Sequence, residues 1–257
     1  MELKSRVVLI TGGTEGIGQA LVAALLAEGA QVALCGLADG PRPDFDAART
    51  LSVYGDITDG LQQQRLIDAA LERFGRIDAV INNAGVGLYL PAHQSPMDLT
   101  RRMFDTNVFA PLELIQRLLP HLRRSPGAMV VNISSVGAWA ALPWATMYCS
   151  TKYAMHALSE GLYRELKPEG IHVLTVVPGI IRTGFRNNVL GGVVPKEVEG
   201  ISGTVSPESL AQAIVAGMRA RQRYVVKPWT ARPFGVVNRF FPAIVDWYCR
   251  LKDPAGR

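Results

Sequence analysis

Cysteine is scarce in this chain of 257 residues: there are three, Cys35, Cys149 and Cys249, far apart and in no C-x-x-C pair. A scattered, odd set builds neither a disulfide framework nor a zinc site, and it predicts a reducing, cytoplasmic setting. Histidine is equally sparse. His93, His121, His156 and His172 show no metal-ligand spacing, so no metal is expected. No stretch offers the roughly 20 uninterrupted apolar residues that span a bilayer, and the opening MELKSRVVLITGG has no apolar run suited to a signal peptide. The 27 Lys and Arg residues outnumber the 22 Asp and Glu but never gather into a long basic run, which argues against nucleic acid as a partner. Internal repeats and low-complexity linkers are also missing.

What the chain does have is an alternation. Apolar, β-rich runs at residues 6 to 10, 31 to 35, 51 to 55, 78 to 82, 128 to 134, 171 to 177 and 223 to 226 are separated by amphipathic stretches, the pattern of repeated strand-helix units. Strands apolar throughout, rather than at every second residue, are buried on both faces, so helices must cover both sides of a mostly parallel seven-stranded sheet. The spacing predicts helices over 16 to 28, 59 to 74, 98 to 124, 144 to 167 and 207 to 221, most of them ended by glycine or proline. Residues 36 to 50, with Pro41 and Pro43, read as a loop or a stunted helix. The fold class is therefore α/β, doubly wound and of one domain.

Directly after the first strand comes TGGTEGIG, placing Gly12, Gly16 and Gly18 at a strand-to-helix turn. Glycines there let the backbone approach a pyrophosphate held by the free N–H groups of the helix N-terminus. Tyr148 and Lys152 stand four apart on a predicted helix, so their side chains share a face. A free tyrosine is too weakly ionised at neutral pH to be a good base; a cation about 4 Å away, worth roughly 4 kcal/mol at an effective dielectric near 20, would lower its pKa by about three units. Ser135 ends the strand AMVVNIS, thirteen residues before Tyr148, where a hydroxyl can orient a substrate oxygen. Ser134 beside it is the structural neighbour.

Further motifs occur in order: GDITD with Asp56, NNAG with Asn83, FDTNVF with Asn107, and PGIIRT. With T-G-x-x-x-G-x-G and Y-x-x-x-K, this series resembles the Rossmann-fold classical short-chain dehydrogenase/reductase family from about residue 5 to 183. The resemblance implies hydride transfer between nicotinamide and an alcohol or carbonyl. It implies a catalytic set of Asn107, Ser135, Tyr148 and Lys152, with Asn107 distorting a long helix and holding a water that relays protons to the lysine. It also implies cofactor contacts from Gly12, Thr14, Glu15, Gly16, Ile17 and Gly18 in the turn, Leu37 after the second strand, Asp56 and Ile57 near the adenine, and Asn83, Ala84 and Gly85 after the fourth strand. Tyr148, Lys152, Pro178, Gly179, Ile181 and Thr183 complete that set.

The cofactor is expected to be NAD or NADP. The second strand ends in Gly36 and Leu37, without the acidic residue usual for NAD or the arginine usual for NADP. Glu15 would repel a 2′-phosphate and Asp39 could reach the ribose, while Arg42 argues the other way; the balance favours NAD. Tyr89, Leu90, Trp139, Leu142, Pro143, Trp144 and Phe185 are placed to line a largely apolar pocket for a bulky hydrophobic alcohol or ketone rather than a charged sugar, under a substrate loop at residues 184–206. Residues 1–227 form the catalytic domain. The aromatic-rich extension 228–257 resembles hydroxysteroid-dehydrogenase-like tails, and it is expected to pack on the pocket or a neighbouring subunit of a homodimer or homotetramer, with peripheral membrane contact as the alternative. Two rival functions remain: a non-catalytic cofactor-binding regulator, which would not need Ser135, Tyr148 and Lys152 together, and an epimerase or dehydratase of the extended branch, which the turn spacing and chain length oppose.

Overall fold

The computed structural model describes residues 2–182, 185, 188–192 and 205–251. Thr183, most of the segment 184–206 and the end of the extension from residue 252 lie outside the described residues. Seven strands form the main sheet: β1 (Val7–Thr11), β2 (Gln31–Gly36), β3 (Thr50–Tyr54), β4 (Ala79–Asn82), β6 (Met129–Ile133), β7 (His172–Pro178) and β9 (Tyr224–Lys227). Their order is β3-β2-β1-β4-β6-β7-β9, and every pairing is parallel. A second, two-stranded parallel sheet joins β5 (Gly87–Tyr89) to β8 (Val189–Gly192).

The continuous apolar runs of the strands are used on both faces. Val8, Ile10, Val32 and Leu34 pack with α1 (Gly16–Ala27) and α6 (Pro207–Arg219) on one side. Leu9, Ala33, Cys35 and Val80 pack with α2 (Gly60–Phe74), α4 (Ala110–Leu122) and α5 (Thr146–Leu166) on the other. This is a doubly wound, single-domain α/β fold. Gly75, in the left-handed conformation, closes α2, and residues 37 to 49 hold no helix.

The helix expected over 98 to 124 is instead α3 (Met97–Phe104) and α4 joined by a π-helical turn at Asp105–Phe109. The strand order reverses between β1 and β4, which opens a crevice at their carboxyl ends, where this kind of sheet holds ligands. The extension forms two short helices, α7 (Arg232–Phe240) and α8 (Pro242–Leu251), with Pro242 at the break.

Candidate active site

Gly12, at φ +64°, turns the chain out of β1, and Gly18 sits so close under it that a Cβ at position 18 would lie 1.8 Å from the Gly12 carbonyl oxygen. Asn83 braces the turn, donating through Nδ2 to the carbonyls of Thr11 and Gly12 at 3.0 and 2.9 Å. Thr11 returns the support by accepting from the backbone N–H groups of Asn83 and Ala84. Glu15 precedes α1 without capping it, so the first N–H groups of that helix stay open to an anion. Its carboxylate accepts a 2.7 Å bond from Asn188 Nδ2, just before β8. This cradle fits the pyrophosphate of a dinucleotide.

At the second strand, a Cβ on residue 36 would lie 2.3 Å from Thr14 Cγ2, so the turn itself keeps this position glycine and excludes the acidic side chain common there. Leu37 is exposed. Arg42 lies 3.9 Å over the ring of Tyr54 and donates to the Ala38 carbonyl. Asp56 is exposed and turns back on Thr58, accepting from its N–H and its hydroxyl, whereas Ile57 is buried. Pro178 ends β7 in register with Lys227, Gly179 donates to the Lys227 carbonyl, and Ile181 bridges to Val205.

The long helix α5 carries Tyr148 and Lys152 one turn apart on its inner face. A buried polar ladder fixes its position: Asn82 donates to Asn132, and Asn132 donates to Ser159, at 2.8 and 2.9 Å. Sequence reading passed over these residues; the available signal was an asparagine in each of two otherwise apolar strand runs. Lys152 Nζ donates to the Ile133 carbonyl at 3.1 Å and lies 5.7 Å from the centre of the Tyr148 ring. Burial brings the lysine pKa down to about 8. The Tyr148 phenol is pushed well above its ordinary value by burial, with a hydrogen bond from Ser135 working in the opposite direction. Desolvation of the ring outweighs the Ser135 contribution and sets that direction. Ser135 Oγ also accepts from Gly137 N–H at 3.1 Å, while Ser134 donates to the carbonyl of Lys152.

Asn107 sits inside the π-helical turn, buried. Its side chain is fully engaged: Oδ1 accepts from Val86 N–H, and Nδ2 donates to the Val86 carbonyl and to Thr151 Oγ1, all at 2.9 to 3.0 Å. Gly85 adjoins both Asn107 Oδ1 and Lys152 Nζ.

Around Tyr148 the rings of Tyr89 and Phe185 stand 5.8 and 6.0 Å away, and Leu142, Cys149 and Val189 complete an apolar cluster. Leu90 packs instead on the β8 glycines. Trp139 is turned from this cluster toward His156, with ring centres 6.3 Å apart, and toward α7, where it meets Gly235 and accepts through its carbonyl from Asn238. Trp144 is half-buried with φ +65°. Among the described residues no cluster of His, Cys, Asp and Glu suits a metal ion.

Residues 6–191 match the family model described as short chain dehydrogenase. The chain belongs to the short-chain dehydrogenase family. It is an oxidoreductase dependent on NAD or NADP, as that membership entails. L-fucose dehydrogenase of Mus musculus is 33% identical over 207 residues, covering 78% of this chain and 74% of that protein. The 3-ketodihydrosphingosine reductase of Bacteroides thetaiotaomicron is 29% identical over 186 residues, covering 72% and 68%. Among solved structures, a short chain dehydrogenase from Burkholderia cenocepacia in complex with NADP is similar with a TM-score of 0.81 at 25% identity, covering 99% of this chain and all of that one.

Proposed function

We propose that this dehydrogenase interconverts a secondary alcohol and its ketone on a bulky, largely apolar substrate, with Tyr148 as the proton-transferring group. The observation that carries the reading is the buried Tyr148 phenol, flanked by the rings of Tyr89 and Phe185, with the Lys152 ammonium 5.7 Å from its ring centre. A largely apolar, aromatic wall favours a hydrophobic substrate over a charged sugar. Bound in the crevice, nicotinamide supplies or accepts the hydride at the substrate carbon. In the reducing direction, Ser135 donates a hydrogen bond to the carbonyl oxygen and holds it beside the phenol. Tyr148 then gives its proton to that oxygen as negative charge develops there. Lys152 steadies the resulting phenolate and returns a proton to it by way of solvent. Asn107 acts as a positioning residue, fixing Val86 and Thr151 around the lysine.

The preference between the two cofactors turns on Glu15 and Arg42. Glu15 keeps a carboxylate at the turn, and Arg42 is engaged by Tyr54 and the Ala38 carbonyl, so NAD is the preferred partner in this reading. Exposed Phe109 and Tyr153 suit self-association into a dimer or tetramer, and the three free cysteines suit a reducing compartment.

The test is turnover of hydrophobic secondary alcohols and ketones, read by nicotinamide absorbance with each cofactor. Tyr148→Phe is expected to lower kcat by about 10²–10⁴-fold with cofactor affinity retained. NAD is expected to give the higher kcat/KM. Unchanged kcat in the variant would remove Tyr148 from the chemistry, and a tenfold preference for NADP would overturn the cofactor reading.

A further inference from the structure

The two helices of the C-terminal extension have opposite faces of different character. Inward, Gly235 and Asn238 of α7 seat on Trp139, and Val245 of α8 is buried. Outward, Val236, Phe240, Phe241, Ile244 and Trp247 are all more than half exposed, Trp247 by 61%. Val236 and Phe240 are four apart on α7, and Ile244 and Trp247 three apart on α8, so each pair shares a face. Arg232, Arg239 and Arg250 are exposed around this patch, and no described carboxylate pairs with any of them.

We propose that this outer face docks the enzyme on an anionic lipid surface, its aromatic and aliphatic side chains entering the headgroup region and its arginines meeting lipid phosphates. Three observations select this occupant. The chemistry matches an interfacial helix, with apolar residues to insert and a rim of guanidinium groups to pair with anions. Helices of 9 and 10 residues are too short to span a bilayer and long enough to lie on one. A second copy of the chain is a poor fit, because a two-fold contact sets a patch against itself, and here that would bring three arginines on each side together, with Asp246 the one carboxylate on the described residues of the two helices. The proposal stands apart from the substrate reading, since it invokes no residue of the Tyr148 cluster.

The test is flotation of the full chain with phosphatidylcholine vesicles, with and without phosphatidylglycerol, beside its assembly state by analytical ultracentrifugation. The intact protein is expected to float with the anionic vesicles and to be released by high salt. A triple variant, Arg232→Gln, Arg239→Gln and Arg250→Gln, is expected to bind at least about tenfold more weakly, and a second variant, Phe240→Ser with Trp247→Ser, to lose flotation at any salt. Circular dichroism and turnover of both should match the parent, because the substituted side chains are exposed and outside the active site. Failure of the intact chain to float with anionic vesicles overturns the proposal. So does flotation that neither variant changes, or a dimer that these same substitutions break.

Discussion

Lys152 brings an ammonium group into a place where water cannot solvate it, and its pKa near 8 is the measure of that cost. Below pH 8 the side chain is charged and keeps all its donors; above it the charge is lost. Affinity for the cofactor, with which the family resemblance places this lysine in contact, is therefore expected to fall as pH rises through about 8, and Lys152→Met to bind more weakly with that inflection gone. Cofactor titration by fluorescence across that range checks both. That Tyr148 and Lys152 meet on one helix face was legible from their spacing. The weight of burial at Tyr148 was not, because desolvation depends on which rings close around the phenol, and Tyr89 and Phe185 lie 59 and 37 residues from it in the chain.

At the scale of elements, the amino-terminal edge of the sheet is tied at one carboxylate. Asp78, fully buried just before β4, accepts from Arg6, Arg76, Ser125 and the Val7 N–H, so that a single side chain joins β1, β4 and the approach to β6. Burial works to raise its pKa, but these donors outweigh it and hold the carboxyl below its ordinary value. The stability it contributes is present above the ordinary carboxylate range and is lost as pH falls through the depressed value. Asp78→Asn is expected to cost about 2–3 kcal/mol at neutral pH in urea unfolding, with the gap to the parent closing in acid. A difference independent of pH would mean that packing, not ionisation, accounts for it.

The seven main strands and five of the helices were legible because each has a continuous apolar run or an amphipathic period. The π-helical turn was not, since one extra residue in a turn barely disturbs the period over 98 to 124. The β5–β8 pair was missed for another reason: strands of three and four residues have no periodicity to read, and their partnership spans a hundred residues of chain.

At the scale of the whole molecule, the doubly wound layout was foreseeable from strands apolar on both faces, and the crevice followed from the reversal in strand order. Less foreseeable was the bond from Asn188 to Glu15, which links the segment entering β8, on the substrate side, to the glycine-rich turn, on the cofactor side. No local pattern marks two polar residues 173 positions apart as partners. Their contact ties the two sides of the crevice together, and the expected signature is temporal: a dinucleotide residence time that depends on this bond. Asn188→Ala is expected to speed dinucleotide release severalfold in stopped-flow displacement, and Glu15→Gln, which keeps an acceptor oxygen, to release close to the parent rate. Equal release rates in Asn188→Ala and the parent would show the clasp to be idle. If the rates differ as expected, a fastening made on the substrate side of the crevice sets the lifetime of the dinucleotide complex.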